Sequence, residues 1–121
     1  MTVLFDTSAL ISSNEAELAH LGEAAVSAIS IGELEVGVLA APNDSERAVR
    51  LRRLSSIVAD SPVLPVDRAV ATRYGELRAA TGRIPSNDLW IAATALAHDF
   101  TLVTADERLA KVPLVRTALV S

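Results

Sequence analysis

The sequence contains no cysteine. That excludes disulfides, thiolate zinc sites and a thiol nucleophile. Its two histidines, His20 and His98, are too few for a histidine-rich metal site. Aromatic side chains are equally scarce: Phe5, Tyr74, Trp90 and Phe100 are the whole set, which argues against RNA binding on a stacking platform. No stretch approaches the roughly 18 unbroken apolar residues of a membrane span. The opening Met1-Thr2-Val3-Leu4-Phe5 carries no basic residue and runs straight into Asp6, unlike a secretory signal. The expectation is a cytoplasmic protein without a membrane segment.

Basic residues are missing from one whole region. Residues 1–46 hold eight acids and no Lys or Arg, whereas all eleven bases follow, against seven acids, for a net charge of −4. Within residues 47–83 there are eight Arg and three acids. Such asymmetry is expected of a polyanion-facing rim or a protein interface. Half of the chain is apolar, mostly Ala, Val, Leu and Ile, which favours a filled core over disorder.

With no repeat, low-complexity stretch or long linker, residues 1–121 read as a single domain. Thr2–Phe5, Ala25–Ile29, Val63–Val66 and Thr101–Thr104 read as short buried strands, and Leu114–Val115 begins a last one. Helices are expected at Thr7–Ser12, Glu15–Leu21, Ile31–Leu39, from Asn43 or Asp44 to about Ala59, from an Asp67 cap to Ala80, and from a Ser86 cap through Leu89–Ala97. A helical turn is expected at Asp106–Ala110. Short strands that are apolar on both faces and alternate with helices predict an α/β fold. Its centre would be a parallel sheet of four to five strands, with helices on both faces. Ligands in such folds bind beyond the carboxyl ends of the strands.

Four acids fall at those ends. Asp6 follows the first strand, Asp106 follows Thr101–Thr104, and Glu33 and Asp88 lie in the first turns of two helices. Each also has a purely structural role open to it. Asp6 and Asp106 can cap short helices. Ser30-Ile31-Gly32-Glu33 matches a capping box, and Asp88 suits a positive helix end. Gathered at one end of a sheet, four carboxylates repel one another and raise each other's pKa values. A hard divalent cation such as Mg²⁺ or Mn²⁺ relieves that cost. It would also activate water and neutralise charge on a phosphoryl oxygen, the chemistry of phosphodiester hydrolysis. Glu35, two residues along the helix from Glu33, points about 200° away from it.

Phe5-Asp6-Thr7-Ser8-Ala9-Leu10, Ser30-Ile31-Gly32-Glu33-Leu34-Glu35-Val36-Gly37-Val38, Asn87-Asp88-Leu89-Trp90-Ile91-Ala92-Ala93-Thr94-Ala95 and Leu102-Val103-Thr104-Ala105-Asp106 together resemble the motifs of PIN-domain ribonucleases. More closely, they resemble those of the VapC toxins of toxin–antitoxin modules. The resemblance spans nearly the whole chain. It implies a metal-dependent endoribonuclease using Mg²⁺ or Mn²⁺, with Asp6, Glu33, Asp88 and Asp106 as its acidic quartet and Thr104 and Ser8 as supporting hydroxyls. It implies an RNA substrate, a small cognate antitoxin and a homodimer. The 27-residue separation of Asp6 and Glu33 is shorter than the family's usual spacing, so the helices after the first strand are trimmed.

An acidic protein that binds RNA needs local positive charge. Arg47, Arg50 and Arg53 recur at three-residue steps, on one helix face, and with Arg83 they are candidates for an RNA rim. Equally open to these arginines is a solvated face, or pairing with Asp60, Asp67 and Glu76. Trp90 reads as core, and His98 and His20 as partners of helix C-termini. A phosphoacceptor receiver domain is disfavoured because Asp6 has no acidic neighbour and the only lysine, Lys111, precedes Pro113. The same residues are compatible with a catalytically inactive PIN-like binding or assembly protein, and with a related nuclease acting on DNA.

Overall fold

In the computed structural model, residues 2–12 and 24–120 are described. The expected helix Glu15–Leu21 and His20 lie outside them. Strand β1, Val3–Phe5, is buried along its whole length. It occupies the middle of a five-stranded sheet of order β3-β2-β1-β4-β5, in which every pairing is parallel. Its neighbours are β2, Ala24–Ser27, and β4, Thr101–Thr104. Phe5 stands level with Val26 on one side and Val103 on the other. The edges are β3, Val63–Leu64, and β5, Thr117–Leu119, short as exposed sheet edges tend to be.

Alternation along the central strands divides the core between two faces. Leu4, Ala25 and Leu102 pack on one face with residues of α4, Arg68–Ala80, and α5, Ser86–Ala97. Val3, Phe5, Val26 and Val103 pack on the other, with α1, Thr7–Ser12, and with Ile31, Leu34 and Ile57. Those last three come from α2, Ala28–Leu39, and α3, Asp44–Asp60. Leu4, Leu89 and Leu102 are wholly buried, each stabilising the fold by about 2 kcal/mol through apolar burial. Helix α5 presents Leu89, Ile91, Ala92, Ala93 and Ala95 to the core, and the half-buried Trp90 stacks on Tyr74 at 3.9 Å between centroids.

Caps that depend on adjacent residues form as expected. Asn43 Oδ1 accepts from the Glu46 amide at 2.8 Å, and Asp67 Oδ1 from the Val70 amide at 3.0 Å. Three expectations need correction. Helix α2 begins at Ala28 with Ser27 as its cap, accepting from the Ile29 amide at 3.1 Å. Ser30 and Glu33 are therefore helical residues rather than a capping box, because β2 ends two residues earlier than its apolar run. Ser86 is the first residue of α5 and not its cap; Pro85 precedes it, with no side-chain cap. The last strand lies at Thr117–Leu119 and not at Leu114–Val115. Leu114 has a φ of 72°, which a strand residue cannot adopt.

Candidate active site

The parallel topology puts the carboxyl ends of β1, β2 and β4 side by side, with the strand order running outward from β1 to β2 and β3 on one side and to β4 and β5 on the other. Asp6 extends from the end of β1, and its amide still bonds to the Val103 carbonyl at 3.0 Å. Its carboxylate is buried and heavily bonded. Oδ1 accepts from the Ala9 amide at 2.8 Å, at the start of α1, and Oδ2 accepts from Thr104 Oγ1 at 2.6 Å. Ser8 Oγ sits 2.8 and 2.9 Å from the two carboxylate oxygens. Asp6 thus caps α1, as its structural reading required, while also facing the site.

The hydroxyls of Ser8 and Thr104 are themselves held. Ser8 Oγ accepts from the Ala105 amide at 2.9 Å, and Thr104 Oγ1 from the Asp106 amide at 3.0 Å. Each hydroxyl has a single proton. Its acceptor lone pair is taken by a backbone N–H, and the proton turns to Asp6. Two chains of hydrogen bonds, both starting in the segment after β4, therefore end on one carboxylate. Asp106, next in that segment, accepts from the Arg108 amide at 2.9 Å and the Leu109 amide at 3.4 Å. These bonds hold the turn that leads into the 3₁₀ segment Leu109–Lys111, whose N-cap position is Arg108 and not Asp106.

Glu33 projects from α2. Its Oε1 accepts from Thr7 Oγ1 at 2.7 Å, and that hydroxyl also lies 3.0 Å from the buried Ser30. Glu35 is exposed, as its helical offset requires. Asp88 sits in the first turn of α5. Burial, and then the charges of Glu33, Asp106 and Asp6, push its carboxyl above the ordinary value. The Arg108 guanidinium pulls it partway back. The four acids therefore share one electrostatic field. Among the described residues they do not close into a group of three drawn tightly enough to grip a metal ion. The donor set nevertheless suits one. It is all oxygen, carries up to four negative charges and contains neither sulfur nor nitrogen, the preference of hard cations. Glu33, Asp88 and Asp106 are only half-buried, so their side chains have room to turn inward.

Two residues of the site escaped the sequence reading. Thr7 orients Glu33, and Arg108 stands 3.9 Å from Asp106 and in the field of Asp88. Their signal was adjacency, since each lies within two residues of a predicted acid. The expected arginine rim is placed differently. Arg47 pairs with Asp44 at 3.0 Å, and Arg50 pairs with Glu46 at 3.3 Å and donates to the Gly37 carbonyl at 2.7 Å. Arg53 donates to the Leu10 carbonyl. These arginines tie α3 to α2 and α1. Arg83 alone of the four is exposed with no partner among the described residues. Of the acids suggested as partners, Glu76 pairs with Arg73 at 2.9 Å, whereas Asp67 serves as a helix cap. His98 caps the end of α5 and packs against Phe100.

A sheet of this order, with acids gathered at the ends of β1 and β4, defines a class, and sequence comparison agrees with it. The model of the PIN domain matches residues 3–114, and the chain belongs to the PIN-domain family, in its VapC branch. Ribonuclease VapC4 of Mycobacterium tuberculosis is 40% identical over 92 residues, covering 73% of this chain and 70% of that protein. Ribonuclease VapC5 of the same organism is 44% identical over 87 residues, covering 69% of this chain and 64% of that protein. Among solved structures, VapBC-5 from M. tuberculosis, a member of the VapBC family of toxin–antitoxin systems, superposes with a TM-score of 0.82 at 32% identity over 98% of both chains. FitAcB from Neisseria gonorrhoeae gives 0.80 at 31% identity, over 97% of this chain and 96% of that one.

Proposed function

We propose that this protein is a metal-dependent endoribonuclease toxin of a type II toxin–antitoxin system. It would hydrolyse phosphodiester bonds in RNA through Asp6, Glu33, Asp88 and Asp106. The observation that carries the reading is geometric: the parallel sheet brings Asp6 and Asp106 to adjoining strand ends, and Thr104 and Ser8 tie the Asp6 carboxylate to the segment that carries Asp106. Four carboxylates held within one another's field are costly unless a cation joins them. The relatives named as VapC ribonucleases supply the substrate class.

Mg²⁺ or Mn²⁺ would be held by Asp6 and Asp106, with Asp88 and Glu33 completing the shell directly or through water. The chemistry such an ion would supply, when bound, is activation of water and neutralisation of charge on a phosphoryl oxygen. The chain's own residues do the positioning. Ser8 and Thr104 fix the Asp6 carboxylate in one orientation. Thr7 does the same for Glu33. Among the described residues no hydrogen-bond donor holds Asp88, so it is the member of the set free to turn toward the reacting phosphate.

The partner in this reading is a small antitoxin, as in the VapBC-5 system. Val36 and Leu39 on α2, 66% and 77% exposed, are apolar surface that a protein partner would cover. We extend the reading to a homodimer and to a cytoplasmic location. No described helix is long and apolar enough to cross a membrane.

The test is cleavage of a mixed pool of structured and single-stranded RNAs with Mg²⁺, with Mn²⁺ and with a chelator. Metal-dependent cuts are expected, lost in Asp6→Asn and Asp88→Asn variants whose circular dichroism is unchanged. Intact RNA under every metal condition would favour the inactive PIN-like binding protein. Cutting of DNA alone would favour the DNA nuclease.

A further inference from the structure

The arginines of α3 and the basic residues beside Asp106 differ in what their charges already do. Two surface clefts meet along the loop between α4 and α5. One is lined by Tyr74, Arg78, Arg83, Pro85, Ser86 and Arg108, among others. The second is lined by Thr81, Asp106, Glu107, Arg108 and Lys111, among others. Gly82, Ile84 and Arg108 belong to both, so the two are continuous. Asp106 itself is among the residues that line the second. A strip of positive charge, Arg83 to Arg108 to Lys111, thus runs up to the acidic site, with the exposed Glu107 as the one carboxylate besides Asp106 on the lining.

Arg83 and Lys111 are exposed and have no partner among the described residues. Arg108 approaches Asp106 at 3.9 Å and lies in the field of Asp88, without a hydrogen bond from its side chain among the described residues. Arg47, Arg50 and Arg53, by contrast, would have to release helix carbonyls or acids before taking a phosphate. Arg78 forms the floor of the strip. Its guanidinium donates to Tyr74 Oη at 3.3 Å and to the Ile84 carbonyl at 3.1 Å. It thereby pins the loop that presents Arg83. Tyr74 is not an open stacking platform. One face of Tyr74 is covered by Trp90 at 3.9 Å, and the Arg78 guanidinium also lies over the ring, 5.5 Å from its centroid.

We infer that Arg83, Arg108 and Lys111 carry the backbone phosphates of the single RNA strand flanking the cleaved bond. This rests on the ribonuclease reading and adds the path of the substrate. Contacts of this kind position a strand without reading its sequence.

The experiment uses the Asp6→Asn protein, expected to hold RNA without cutting it, and a short labelled single-stranded RNA. Binding is followed by fluorescence anisotropy across a KCl series with Mg²⁺ present. The Arg83→Gln/Lys111→Gln double variant should lower the log–log salt slope by about 1.4, at roughly 0.7 for each phosphate of a single strand that is no longer neutralised. It should do so equally for RNAs of different sequence. Arg52→Gln removes an exposed charge from α3, outside both clefts, and should leave the slope unchanged. An unchanged slope in the double variant overturns the inference, as does an equal loss in Arg52→Gln, which would mean that net charge alone matters. Loss of poly-glutamate binding with no change toward RNA would assign the strip to an acidic protein segment and overturn it too. Parallel assays of the unsubstituted protein separate the two levels. Cleavage with unmoved slopes sinks only the path, whereas no cleavage with any metal sinks the ribonuclease reading itself.

Discussion

Asp6 and Asp88 are two acids of the proposed site, treated in opposite ways by the fold. Asp6 grows from the central strand and is buried under donors: an amide, a threonine hydroxyl and a serine hydroxyl. Asp88 comes from a helix N-terminus, is half-exposed and has no hydrogen bond of its own among the described residues. Its surroundings are three other acids and one arginine. The strand side of the site is built into the fold, and the helix side is left under electrostatic stress. A single substitution should therefore have opposite effects on stability at the two positions, although both should abolish cleavage.

The larger effect belongs to Asp6. Asp6→Ala leaves the Ala9 amide and two hydroxyls without their acceptor in a buried pocket. The expected loss is roughly 2 kcal/mol of unfolding free energy, measured by urea denaturation without metal. A cost near zero would mean that the hydrogen-bonded cluster does not anchor the site.

The smaller effect, of opposite sign, belongs to Asp88. Its pKa is raised in the folded state above the ordinary 3.8. The folded protein therefore holds that proton more tightly than the unfolded chain. Stability associated with the protonated group is fully present below 3.8 and is lost as pH rises through the higher folded value. At neutral pH the ionised carboxylate is a net cost. Asp88→Asn should raise the metal-free melting temperature at about pH 7 and give no such gain below the ordinary carboxylate pKa. A gain that persists in acid, or a loss at neutral pH, would break the contrast with Asp6.

The same division explains what could be read from the residues alone. The all-parallel sheet was legible because β1 and β4 are short, apolar on both faces and followed within two residues by acids. Asn43 and Asp67 were legible as caps because a cap depends on residues three positions away. Ser30 misled because its local pattern mimics a cap, whereas its side chain is buried and lies beside Thr7, 23 residues distant in sequence. The partners of the α3 arginines were hidden for a related reason. The arginine periodicity predicts a shared face but not that Arg50 reaches a carbonyl 13 residues away or Arg53 one 43 residues away. The positive φ of Leu114 likewise left no mark in an apolar dipeptide that otherwise suits a strand. Position at a strand end is a sequence property. The partner that occupies a long charged side chain is a property of the folded neighbourhood.

The central claim is that Asp6, Glu33, Asp88 and Asp106 jointly hold a divalent cation. Anomalous diffraction from crystals grown with Mn²⁺ tests it most directly. The account predicts a peak between the carboxylates, with at least Asp6 and Asp106 at oxygen–metal bonding distance. A map showing manganese bound elsewhere on the surface, or no peak between those side chains at saturating metal, would contradict it.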